Sequence, residues 1–188
     1  MSFRIAMVFE DHTHDQYIGR PILQRLVSEV GRPHAQVHVV TQPRLRGFST
    51  VRAELCWILR RYGPIADAIV VIVDRDCTVS REEQLGAAAL ECEAYGTKAV
   101  FVCAVEELEV WALWGSRSRI GCQWSEVRSY PHPKERFFEP LLLEVDGKQP
   151  GGGRSELVER SLAGGWRSLI GGCPELGELE ARIRMLVT

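Results

Sequence analysis

Eight consecutive residues, Ile69-Val70-Val71-Ile72-Val73-Asp74-Arg75-Asp76, constrain the fold of this chain more than any others. A short, unbroken β-branched run does not alternate between a wet and a dry face. It therefore reads as a strand buried on both sides, as in a parallel sheet covered by helices. The run stops at an Asp-x-Asp pair, delivered at the carboxyl edge where open α/β sheets keep their active sites. A second apolar run, residues 3–9, ends the same way in Glu10-Asp11. If the two strands are neighbours, their carboxylates converge on one rim, and clustered oxygens of that kind suit hard divalent cations such as Mg2+.

The pattern between and after these runs alternates strand with helix. Residues 15–30 carry Ile18, Ile22, Leu26 and Val30 on one helical stripe, with Pro21 tolerated only if regular structure begins close to it. Residues 35–40 predict a second strand and residues 43–47 a basic loop. Residues 50–62 predict a helix that turns Val51, Leu55, Ile58 and Leu59 inward. After the central strand, Ser80 and Glu83 have capping-box spacing for a helix running to Tyr95 and stopped by Gly96, and residues 99–103 give a fourth strand. Such short connections require parallel strands joined by right-handed crossovers. The expected architecture is α/β: a Rossmann-like, parallel four-stranded sheet flanked by helices, with a helical C-terminal extension. The core is expected over residues 1–115. Residues 116–188 form the extension packed on it, irregular to Lys134 and then, beyond the Gly151-Gly152-Gly153 loop, helical over residues 155–162 and 174–186.

The chain's 188 residues suffice for a real core without staples. Its six cysteines show no Cys-x-x-Cys spacing and fall mostly in apolar or helical stretches, where free thiols behave as small hydrophobes. The absence of a leader-like or bilayer-length apolar segment points to a soluble protein of the reducing cytoplasm. A formal net charge of -2 neither recruits nor excludes nucleic acid. Distribution matters more: Arg44, Arg46, Arg52, Arg60 and Arg61 crowd the region after the second strand, as a solvated helix face or as a patch for phosphates.

Further acids follow the fourth strand in Glu106-Glu107-Leu108-Glu109-Val110-Trp111. As a helix from residue 106 this segment would put Glu106 and Glu109 on one face. First-turn acids that suit the helix dipole account for one of these glutamates better than for all of them. His12 and His14, beside Glu10, read as exposed loop histidines rather than metal ligands.

Glu at the end of the first strand, Asp-x-Asp at the end of the third and the Glu107-Leu108-Glu109-Val110-Trp111 segment resemble the TOPRIM fold, the Mg2+-binding module of topoisomerases, primases and overcoming-lysogenization-defect nucleases. Together with Pro133-Lys134 and Cys173-Pro174-Glu175-Leu176, they are similar to small stand-alone TOPRIM-like proteins of unknown function. One departure is that Asp11-His12 stands where the family more usually has glycine after the glutamate. The resemblance implies metal-dependent phosphodiester cleavage. Glu10, Asp74 and Asp76 would be core ligands of Mg2+ or Mn2+, Glu107 and Glu109 would complete a second metal position, and Lys134 would stabilise charge on the phosphate. Arg44 and Arg46 would hold the nucleic-acid backbone, DNA or RNA. No Gly-x-x-x-x-Gly-Lys-Ser/Thr loop occurs, so any ATPase would be a separate partner. Two other readings stay open: a Mg2+-binding receiver-like signalling domain, which predicts a lysine after a fifth strand, and a catalytically silent interaction module.

Overall fold

The computed structural model describes residues 2–92 and 98–187. Strands β1 (Arg4–Phe9), β2 (Gln36–Val39), β3 (Ala68–Asp74) and β4 (Ala99–Ala104) form a four-stranded sheet in the order β2-β1-β3-β4. Every pairing is parallel, with Ile5 opposite Val37 and Ala68, and Asp74 opposite Ala104. The α/β, Rossmann-like architecture is thus as the strand-helix alternation requires. Both central strands are almost wholly buried, as unbroken apolar runs must be when helices cover both faces.

The covering helices follow from the direction of each crossover. The chain leaves β1 toward β2 through α1 (His12–Glu29), returns across the sheet through α2 (Phe48–Tyr62) to β3, and continues through α3 (Arg81–Leu90) to β4. Because each crossover is right-handed, reversing direction between β1 and β3 moves the helix to the other face. Alternation along the strands feeds two cores accordingly. Ile5, Met7, Phe9, Val70 and Ile72 pack with α1, while Ala6, Val8, Val71 and Val73 pack with Val51, Leu55, Ile58 and Leu59 of α2. The reversal opens a crevice at the carboxyl ends of β1 and β3, the topological switch point where such sheets bind ligands.

After β4 come α4 (Glu109–Leu113), a 3-10 turn (Trp114–Arg119), α5 (Trp124–Ser129), a π-helical turn (Lys134–Phe138) and α6 (Glu139–Leu142), then α7 (Arg154–Ala163), α8 (Trp166–Gly172) and α9 (Pro174–Val187). These helices share the α1-side core, burying Trp111, Phe138, Leu157, Trp166 and Leu176. At Gly115 the contact with α7 is so close that a Cβ would lie 2.2 Å from the Arg160 carbonyl carbon, and Ser161 Oγ receives the Gly115 N–H while donating to Ala112 O. Two motifs far apart in sequence are joined here. Trp111 Nε1 donates to Glu175 Oε1 at 2.8 Å, and Arg128 donates to both oxygens of that carboxylate.

Several local expectations are corrected. Helix α1 starts at His12 because Asp11 caps it, its side chain accepting Thr13 N–H, and Pro21 lies well inside the helix rather than near its start. Ser80 makes no side-chain cap at α3; its Oγ accepts from Gln84 Nε2 instead. Tyr95 and Gly96, expected to end that helix, lie outside the described residues. The helix expected from Glu106 begins only at Glu109, because Glu106 sits at φ 20, outside helical backbone. Much of the segment expected to be irregular is helical, and α8 was not foreseen, its glycines masking a short amphipathic turn. Cys56 on α2 and Cys92 just after α3 form a disulfide, where free thiols were expected. Among the described residues, no helix is long and apolar enough to cross a membrane.

Candidate metal centre

The carboxyl edge at the switch point gathers two acidic groups, one on each side of the sheet. Alternation places Asp74 in phase with Val70 and Ile72, on the face covered by α1 and α4. Its Oδ1 accepts the Leu108 N–H at 2.7 Å, which fixes the carboxyl against the chain leaving β4. Part of the residue reaches solvent at the rim, yet the carboxyl itself is crowded by protein. Burial first, then the charges of Glu109, Asp15 and Glu10, push its pKa well above the ordinary carboxylate range.

Asp15, which sequence reasoning assigned to no site, belongs to this group. Burial and the Glu109 carboxylate raise its pKa to about 7. It sits on the first turn of α1, where its Oδ2 accepts the Asp11 N–H at 3.1 Å. The signal was present: Asp15 precedes Ile18 and Ile22 by three and seven positions, so a carboxylate extends a buried apolar stripe. Glu109, at the start of α4, is only 2 % exposed. Lys134 Nζ lies 2.8 Å from Glu109 Oε1 and is the ionic partner of this buried oxygen. Burial disfavours the Lys134 ammonium, but Glu109, Asp15 and Asp74 outweigh it and hold its pKa above the usual lysine value. Glu109 thus pairs directly with one half-buried ammonium, on which the charges of Asp15 and Asp74 also act.

Glu10 and Asp76 occupy the opposite, α2 and α3, side. Glu10 accepts the Asp74 N–H at 3.0 Å and a backbone hydrogen bond from Phe48, the first residue of α2, whose preceding Gly47 has no side chain to cap it. Burial raises the Glu10 pKa more than these donors lower it. Arg81, also unassigned from sequence, serves both acids. Its guanidinium lies 3.4 Å from Glu10 Oε1 and 2.7 Å from Asp76 Oδ2, and it donates to Asp74 O at 2.7 Å. Asp76 is exposed and takes φ 41, followed by Cys77 at φ 56. Consecutive non-glycine residues in left-handed backbone are costly and persist only where surroundings enforce them. Glu106 enforces this turn: its carboxylate accepts from the Arg75 guanidinium and from Cys77 N–H, and its carbonyl accepts Asp76 N–H. Burial works against the Glu106 carboxylate, but these donors hold its pKa below the ordinary value.

Glu107, expected beside Glu109 in a second metal position, is half-buried next to Lys134. Its Oε2 accepts the Lys134 N–H at 2.7 Å, and burial followed by the Glu109 and Glu135 charges raises its pKa to about 6. Arg44 and Arg46 are exposed on the loop that leads from β2 to Gly47, at which a Cβ would lie 4.0 Å from Glu10 Oε2. The loop thus ends against the acidic rim. His12 and His14 lie on the first turn of α1.

Comparison with known proteins returned no match to a family model, to a curated protein or to a solved structure. Chemically, the centre is an all-oxygen donor set that a single lysine and a single arginine offset only in part. Hard divalent cations fit such a set.

Proposed function

We propose that this chain is a metal-dependent phosphodiesterase acting on nucleic acid, of the TOPRIM type its sequence resembles. The observation that carries the reading is the convergence of Glu10, Asp15, Asp74 and Glu109 at the switch point, coupled closely enough to raise the pKa of Asp74. Like charges held together in a partly desolvated crevice destabilise the fold unless a cation or proton joins them, and folds retain such clusters chiefly at functional sites. Asp74, Asp15 and Glu109 would hold Mg2+ or Mn2+, with Glu10 behind Asp74. Glu10 fixes the Asp74 backbone while remaining partly accessible itself. Bound there, the ion would activate water and neutralise charge on the phosphate. Lys134, already inside the acidic group, would turn its ammonium to the phosphate once a metal took over the carboxylates. Arg44 and Arg46 would contact the backbone of DNA or RNA from the adjoining loop. In this reading Asp76 is not a core ligand, being paired with Arg81, and Glu107 holds the Lys134 N–H rather than a second metal of that centre.

A separate ATPase partner, as in defence systems, remains part of the proposal. A cytoplasmic setting fits it, although the Cys56–Cys92 disulfide is more typical of oxidising compartments. One observation favours a second reading, a silent interaction module. Glu10, Asp76 and Glu106 are each engaged by protein donors. Incubating plasmid DNA and single-stranded RNA with the protein under Mg2+ or Mn2+ separates the two, with Asp74→Asn as control. Metal-dependent cleavage lost in the variant supports the phosphodiesterase. No cleavage under any condition, including with a partner ATPase, supports the module, and cleavage that survives in the variant removes the Asp74 centre from the reaction.

A further inference from the structure

Outside the acidic centre, the chain brings together another set of ligands with different chemistry. We propose that Glu107, His132 and Glu135 form a separate site for a borderline divalent cation, for which Zn2+ is the best match. Each residue offers one ligand atom, and these atoms lie within 4.8 Å of one another. Around a tetrahedral ion with bonds of about 2.1 Å, ligand atoms stand about 3.4 Å apart, so shifts of up to about 0.7 Å per side chain close the shell. An imidazole among the donors moves preference from Mg2+ toward Zn2+, and three protein ligands leave a position for water or substrate.

The backbone prepares this geometry. His132 and Glu135 flank Pro133-Lys134, where a π-helical turn (Lys134–Phe138) begins, anchored by buried Pro133 and Phe138. Turns of that kind are rare and cluster at functional sites. Glu107 arrives from the chain after β4, with Oε2 held by the Lys134 N–H, the supporting hydrogen bond that metal-binding carboxylates commonly have. His132 and Glu135 are exposed and, with Tyr130 and Arg136, line an open groove, so an ion and a small anionic co-ligand have a way in. The site shares no ligand with the centre formed by Asp15, Asp74 and Glu109. It stands or falls apart from the proposed phosphodiesterase.

Calorimetric Zn2+ titration of the full chain tests it, alongside the visible spectrum of the Co2+ form. The wild type should bind one Zn2+ at this site, and His132→Ala should weaken that event about tenfold or more and remove the Co2+ absorption bands of imidazole coordination. Glu135→Gln should weaken it similarly. His132 is exposed, so its variant should fold, as thermal unfolding would verify. Asp74→Asn should leave this event unchanged. Zn2+ affinity unaltered in both His132→Ala and Glu135→Gln would mean adventitious surface binding only, and loss of Zn2+ binding in Asp74→Asn with retention in His132→Ala would place the ion in the acidic centre. Either result overturns the proposal.

Discussion

At Asp74 the requirements of folding and of the site oppose each other. The sheet delivers this carboxyl to a position crowded by Glu109, Asp15 and Glu10, and only Leu108 N–H donates to its Oδ1. Replacing it with Asn keeps an acceptor for that N–H and removes a charge. Asp74→Asn should therefore stabilise the metal-free protein by about 1 kcal/mol, the usual scale of such gains at functional sites, and abolish stabilisation by Mn2+. Thermal unfolding at pH 8 with and without Mn2+ measures both; a destabilised variant would make Asp74 a structural cap. The pH dependence has a definite sign. Asp15 titrates at about 7 when folded and Asp74 is also raised, whereas both lose their protons near 3.8 when unfolded. Between about pH 4 and 7 the folded state thus binds more protons, so stability falls as pH rises. In chelator the melting temperature should drop from pH 5 to pH 8, and Mn2+ should reverse the drop. A melting temperature that rises over that window would contradict the coupling. Asp15 itself was legible only in part. Its place on the α1 stripe could be counted from sequence, but that the stripe faces Glu109 is a fact of tertiary packing.

Among the elements, the turn after β3 shows how two residues of one motif come to face different neighbours. The Asp-x-Asp pair suggests one ion held by both residues, but Asp76 enters left-handed backbone and turns to Arg81, on the other side of the sheet from Asp74. What enforces that turn is Glu106, thirty residues away, whose role no local pattern betrays. Glu106→Ala should cost about 2 to 3 kcal/mol, because it leaves Arg75 and Cys77 N–H without their acceptor and releases the strained turn. Chemical denaturation would register it; a change below a few tenths would show that the turn holds itself. The strands, by contrast, were legible because apolar runs of their length, bounded by turns, admit few alternatives. Helix ends were less so. Capping at α1 came from Asp11 rather than from the start of the apolar stripe, and at α2 from Glu10, a residue remote in sequence.

For the whole molecule, the C-terminal helices and the sheet share one core, and the Trp111–Glu175–Arg128 contacts tie the two together. The segments containing Trp111 and Glu175 stood out in sequence for a resemblance to nuclease-related proteins, yet these two residues meet in the interior, away from solvent. Part of what resembles a functional signature is therefore packing. In the proposed function, nucleic acid would meet the surface around the switch point, where Arg44 and Arg46 stand on the loop that ends at Glu10. Replacing both with alanine should weaken nucleic-acid binding alike for every sequence and flatten its salt dependence by roughly one to two units of log–log slope, since each phosphate contact releases condensed counterions. Fluorescence anisotropy at several salt concentrations reads this, and an unchanged slope would remove the loop from the interface.

The central claim is that a divalent cation completes the centre formed by Asp15, Asp74 and Glu109. Calorimetric titration of Mn2+ at pH 8 into the wild type, Asp74→Asn and Asp15→Asn tests it most directly. The expected result is a binding event in the wild type, weakened by about tenfold or more in each folded variant and accompanied by proton release as the metal displaces protons from carboxyls with raised pKa. Equal Mn2+ affinity in all three proteins, or no binding at millimolar Mn2+, would contradict it.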